Sequence, residues 1–149
     1  MRELAGWSES VSVGNLDIDR QHKNLFRLGQ VALNLLGDEA IVSKRADEVL
    51  NDIVEAMRQC FASEEKLLAR NSCPFLKQHA AEHMVFNEQL TRIIYQSARD
   101  ADELHKVLRD WTSRHVPEID ELCRDCGVDI FRSPINTVRV CKRAIGRSV

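Results

Sequence analysis

His79 and His83 stand four residues apart, and so do Cys60 and Glu64. On an α-helix, with about 3.6 residues per turn, such pairs lie about 40° from each other, so both members can hold one metal ion from a single face. His22, His115 and Asp120 add further donors elsewhere in the chain. Mixed imidazole and carboxylate donors suit iron, zinc or manganese, and bridging carboxylates from different helices point to two metals rather than one. The set of His22, Cys60, Glu64, His79, His83, His115 and Asp120 is too large for a single ion. Each histidine taken alone reads more simply as a satisfied core or surface residue. The whole set at one level has no apolar rationale, because buried polar groups need partners.

Four helices are needed to position these donors. Apolar residues returning at three- and four-residue steps mark helices over 17–37, 43–70, 75–98 and 102–126. Gly37 and Asp38 end the first, and Asn71 to Pro74 break the second from the third, because the residue before a proline avoids helical geometry. The expected fold is all-α, an up-down-up-down four-helix bundle whose interior can host a metal site. With alternating helix directions, His22 lies early in helix one and Cys60 and Glu64 late in helix two. His79 and His83 begin helix three, and His115 and Asp120 lie late in helix four. All seven therefore meet at one end of the bundle. A short fifth helix is expected in the tail over 129–149, with Ser133 as N-cap, Pro134 at the first helical position and Gly146 at the C-terminal cap. The bundle proper is taken as residues 1–128.

Composition agrees with a single soluble domain. The chain has 149 residues, 44% hydrophobic and 30% charged, with only six glycines and three prolines to interrupt helices. A formal net charge of −2 provides no general attraction to nucleic acid or an anionic membrane surface. Met1 to Ser10 carries no long apolar stretch, so neither a signal peptide nor a membrane span is expected, and the cytoplasm is the default location. Five cysteines at irregular spacing suit free thiols or metal ligands better than a disulfide framework. Cys123 and Cys126 form a Cys-x-x-Cys pair near a helix C-terminus, where the dipole disfavours thiolates, and they read as structural or incidental. His105 reads as a surface residue.

Four runs carry a family resemblance: Leu16-Asp17-Ile18-Asp19-Arg20-Gln21-His22 followed by Leu25-Phe26; Cys60 through Glu64 to Leu67; His79-Ala80-Ala81-Glu82-His83 followed by Phe86; and Trp111 through His115 to Asp120. In order and spacing they resemble the bacterial hemerythrins, over Trp7 to about Asp125. The resemblance implies a non-haem di-iron centre in which His79, His83 and His115 hold one iron and His22 the other, with Glu64 and Asp120 bridging. It also implies that dioxygen, or another small diatomic ligand, binds at the iron with fewer histidines. Gln21, Asp19 and Trp7 match family positions and are given supporting or packing roles.

The chain departs from the family at one ligand. Where the family has histidine four residues before the bridging glutamate, this chain has Cys60, on the side that would bind dioxygen. A thiolate in place of neutral imidazole makes the cluster one unit less positive and favours ferric iron. The function expected is therefore binding or sensing of dioxygen or redox state, with Cys60 as a variant iron ligand, rather than ordinary oxygen carriage. A small buried thiol that does not ligate, or a thiol that is itself reversibly oxidised, are the other readings of Cys60. A di-iron peroxide or nitric oxide reductase, or an iron-handling protein, are the alternatives for the whole chain. Arg132, Arg139, Lys142, Arg143 and Arg147 make the tail basic; it is expected to reach a homodimer mate or signalling partner, against the plainer reading of a solvated basic face.

Overall fold

The computed structural model describes residues 3–37, 44–96 and 100–125. Among these, a 3-10 turn at Glu9–Val11 precedes α1 (Leu16–Gly37), α2 (Lys44–Arg70) and α3 (Leu76–Tyr95). The fourth arm is α4 (Ala101–Asp110), a π-helical turn (Trp111–His115) and α5 (Val116–Asp125). Each arm packs on its chain neighbour, and α4 closes back onto α1, which is the up-down-up-down bundle expected. The proposed tail helix and Cys126 lie outside the described residues, as do the side chains of Asp120 and Cys123.

Local chemistry sets the boundaries. Asn15 caps α1, its side-chain oxygen accepting from the backbone N–H groups of Asp17 and Ile18 at 3.0 and 3.1 Å. Asp100 caps α4 in the same way, accepting from Asp102 and Glu103. At the end of α2, Ser72 takes a left-handed φ of 51°, while the Cys73 N–H donates to the Leu68 carbonyl and the Ser72 N–H to that of Ala69. This is a Schellman ending, built on serine where glycine is the usual residue.

The fourth arm is not the continuous α-helix that periodicity suggests. Pro117 has no N–H, and its ring would press on the carbonyl of Ser113 in a regular helix. The hydroxyls of Thr112 and Ser113 bond back to the Arg109 carbonyl at 3.2 and 2.5 Å, and such back-bonding bends helices. The chain responds by widening for one turn, with the Val116 N–H donating to the Trp111 carbonyl five residues back. Turns of this kind are frequent at functional sites, and this one ends on His115.

Two apolar clusters divide the interior. The larger runs through most of the bundle and includes Leu25, Phe26, Leu50, Ile53, Met57, Phe61, Phe86, Leu90 and Trp111. The smaller, formed by Val13, Ile18, Leu68, Cys73, Ile119 and Leu122, closes one end. Ile18, Leu68 and Ile119 each stand one helical turn outward of His22, Glu64 and His115. Phe26, Cys60, Phe86 and Trp111 stand one turn inward of His22, Glu64, His83 and His115. The polar donors thus form one layer between two apolar ones. No described helix is long and apolar enough to cross a membrane.

Candidate metal centre

Glu64 is the hub of that polar layer and is fully buried. On one side, its Oε1 lies 2.7 Å from His22 Nε2 and accepts from Cys60 Sγ at 3.5 Å. On the other, its Oε2 lies 3.0 Å from His83 Nε2, 3.3 Å from His79 Nε2 and 3.7 Å from His115 Nε2. The ligating atoms of Glu64, His79, His83 and His115 all lie within 4.8 Å of one another, as do those of His22, Cys60 and Glu64. Two donor groups therefore share one carboxylate. Six of the seven residues singled out by spacing come together here. Asp120 lies on α5, but its side chain is outside the described residues.

The protons of these imidazoles are accounted for by their other nitrogens. His83 Nδ1 donates to Glu65 Oε1 at 2.7 Å, and His115 Nδ1 donates to Glu82 Oε2 at 3.2 Å. A neutral imidazole has one N–H, so both rings present a bare Nε2 lone pair inward. Yet His83 Nε2 and His115 Nε2 are only 3.1 Å apart, and both face the Glu64 carboxylate. Lone pairs and an anionic oxygen converging at that distance repel unless a cation stands between them, either a second ring proton or a metal ion. The donor set fits a metal on this observation, and a carboxylate holding the remote nitrogen of a ligating histidine is the usual outer-shell arrangement.

Burial works against ionisation of Glu64, but hydrogen bonds donated by His115, His22, His79 and His83 outweigh it and hold its carboxyl well below the usual range when the facing ring nitrogens carry the second proton that the convergence calls for. Burial first, and then the charge of Glu64, push the Cys60 thiol well above its ordinary value. In the absence of a metal Cys60 is thus a neutral S–H donor, and metal coordination is what would deprotonate it.

Aromatic rings wall the site. Phe61 stacks on His83 with centroids 3.8 Å apart and planes within 3°. Phe86 meets His115 edge-on at 5.3 Å, and Trp111 meets His22 in the same manner at 5.6 Å. These faces lower the local dielectric and exclude water, which strengthens every electrostatic interaction inside. The supporting residues expected from sequence behave as such. Asp19 accepts from Ser12 Oγ and the Val13 N–H, tying the N-terminal segment to α1. Gln21 donates to Ser63 across to α2, and Trp7 carries the Lys23 ammonium over its ring. His105 is half-buried at the surface and its ring nitrogen meets the Glu3 carbonyl.

Four-residue spacing assigns no role to Glu65 or Glu82, and of Arg114 it reports the pairs with Asp110 and Glu118 but not the reach to Glu82. Glu65 and Glu82 are the chain neighbours of Glu64 and His83, about 100° around the helix from them, and their function depends on what the adjacent helix presents. Arg114, inside the π turn, donates to Glu82, to both oxygens of Asp110 and to Glu118.

A family model described as the hemerythrin HHE cation binding domain matches residues 14–123. A bacteriohemerythrin of Stenotrophomonas maltophilia is 29% identical over 127 residues, covering 82% of this chain and 80% of the relative. A bacteriohemerythrin of Pseudomonas paraeruginosa is 29% identical over 119 residues, covering 76% and 75%. A myohemerythrin of Theromyzon tessulatum is 26% identical over 114 residues, covering 76% and 86%. No solved structure matches the chain. The matched span contains the whole layer of buried histidines around Glu64, and on that agreement of site and sequence this chain belongs to the hemerythrin HHE cation-binding family.

Proposed function

We propose that the protein is a non-haem di-iron protein that binds dioxygen or another small diatomic molecule, or responds to redox state, with Cys60 as a ligand to one iron. The observation that carries this reading is the pair of buried donor groups, one of His79, His83 and His115 and the other of His22 and Cys60, sharing Glu64. Asp120, one turn beyond Val116 on α5, is the proposed second bridge. Iron in such a site supplies one-electron chemistry and a coordination position for a small ligand. The protein's own contribution is to hold His83 and His115 at fixed tautomer, to keep water out with Phe61, Phe86 and Trp111, and to set the charge of the cluster through Cys60. A Cys60 thiolate adds one negative charge relative to imidazole, which favours the ferric state and suits a sensor better than a reversible carrier.

Metal analysis of protein purified without added metal, combined with an absorption spectrum, tests the reading. Two irons per chain and a thiolate-to-iron charge-transfer band lost in Cys60→Ser are the expected results. A single zinc per chain would refute the di-iron reading, and a spectrum unchanged by Cys60→Ser would remove Cys60 from the ligand set.

A further inference from the structure

Two side chains outside the donor set stand in a regular relation to it. Glu65 on α2 reaches sideways to His83 of α3, and Glu82 on α3 reaches sideways to His115 of the π turn. Each carboxylate grips a histidine of the next arm from outside, through Nδ1. Both are partly exposed, at 38% and 31%, so neither is needed to fill the core. Glu82 is itself held in place by Arg114, which is anchored at 2.9 Å to Asp110 and at 3.2 Å to Glu118 on either side of the turn. The face of the His83 ring is additionally fixed by Phe61. Among the described residues the other half of the site has no such support. His22 Nδ1 is buried without a hydrogen-bond partner among the described residues, and Cys60 has Glu64 as its polar contact and otherwise belongs to the apolar cluster.

We propose that Glu65 and Glu82 are positioning residues that commit His83 and His115 to metal through Nε2, so that the His79/His83/His115 side fills first and the His22/Cys60 side second. The proposal rests on the metal-centre reading above. Its physical basis is preorganisation. A ring whose tautomer and orientation are already set loses little on binding, whereas His22 turns its Nε2 proton to Glu64 and must move that proton to an Nδ1 without a described partner as the ion arrives. A protein carrying one metal ion is then a distinct species on the way to the full pair.

The test is titration of the metal-free protein with Zn²⁺, followed by calorimetry for affinity and by imidazole NMR to show which rings respond. In wild type the first equivalent is expected to shift His79, His83 and His115, and the second to shift His22. Glu82→Gln and Glu65→Gln are expected to weaken the first step by roughly 10- to 100-fold and leave the second much less affected. The Nδ1–H signal of His115 or His83 should move in the corresponding metal-free variant, with unchanged far-UV circular dichroism confirming the fold. Simultaneous response of all four rings to the first equivalent would overturn the order of filling. An unweakened first step in both variants would overturn the positioning role. Failure of the metal-centre reading is separately visible, as no saturable binding in wild type at all.

Discussion

Glu64→Gln separates a metal site from a structural ion network. If Glu64 were there to pair with charged histidines for stability, breaking that buried pair would cost about 3–5 kcal/mol. The geometry argues for a different outcome. Glu64 Oε2 faces the Nε2 atoms of His83, His79 and His115 at 3.0, 3.3 and 3.7 Å, and two of those rings have already committed their proton to Glu65 and Glu82. An amide NH₂ in place of Oε2 donates into these lone pairs without any extra proton, while the amide oxygen still accepts from His22. The metal-free variant should therefore lie within about 1 kcal/mol of wild type, or be more stable, because a fully paired neutral group replaces a buried charge. Metal linkage should change in the opposite direction. At a thousandfold excess over Kd, each bound ion adds about 4 kcal/mol. Two ions add about 8 kcal/mol, which at about 2–4 °C per kcal/mol for a domain of this size raises the Tm by on the order of 20 °C. Loss of the shared carboxylate should reduce that rise to less than about half. Calorimetric melts of both proteins, with chelator and with Zn²⁺, measure all four values. A metal-free variant destabilised by about 3 kcal/mol or more, together with an undiminished metal-dependent rise, would refute the assignment of Glu64 as the shared ligand.

Three further outcomes are expected. Ser72→Gly relieves a left-handed conformation at an exposed position that costs a non-glycine residue about 1 kcal/mol, and urea unfolding should show a gain of about 0.5–1 kcal/mol with unchanged m-value. Phe61→Leu keeps most of the buried apolar volume but removes the ring stacked on His83; it should lower stability by about 1–2 kcal/mol and broaden the His83 imidazole signals, with helix content by circular dichroism unchanged. Arg114→Gln removes a partly exposed clasp, so its effect at neutral pH should be at most about 1 kcal/mol. Asp110 is held below its ordinary value first by the hydrogen bond from Arg114, against the opposing effect of burial. That stabilisation is present above the ordinary aspartate range and is lost as pH falls through the depressed folded-state value, so stability curves of wild type and Arg114→Gln should converge in acid.

Much of this molecule was legible from residue spacing. The three- and four-residue apolar rhythm defined four arms, because a helix must bury one face and the period of that face is fixed by backbone geometry. The i, i+4 pairs Cys60/Glu64 and His79/His83 reported their shared face for the same reason. The alternating direction of short-looped helices then brought His22 and His115 to the same level. Tertiary structure alone decided the rest. Glu65 and Glu82 acquire their roles from rings on a neighbouring helix, and no intrahelical period encodes which sideways neighbour a side chain will meet. The π turn arises from Pro117 acting with the hydroxyls of Thr112 and Ser113, a local conflict whose resolution depends on what the surrounding bundle will accommodate. The direction of each imidazole proton follows from those same cross-helix contacts, and with it the convergence of lone pairs that marks the centre as a place for a cation.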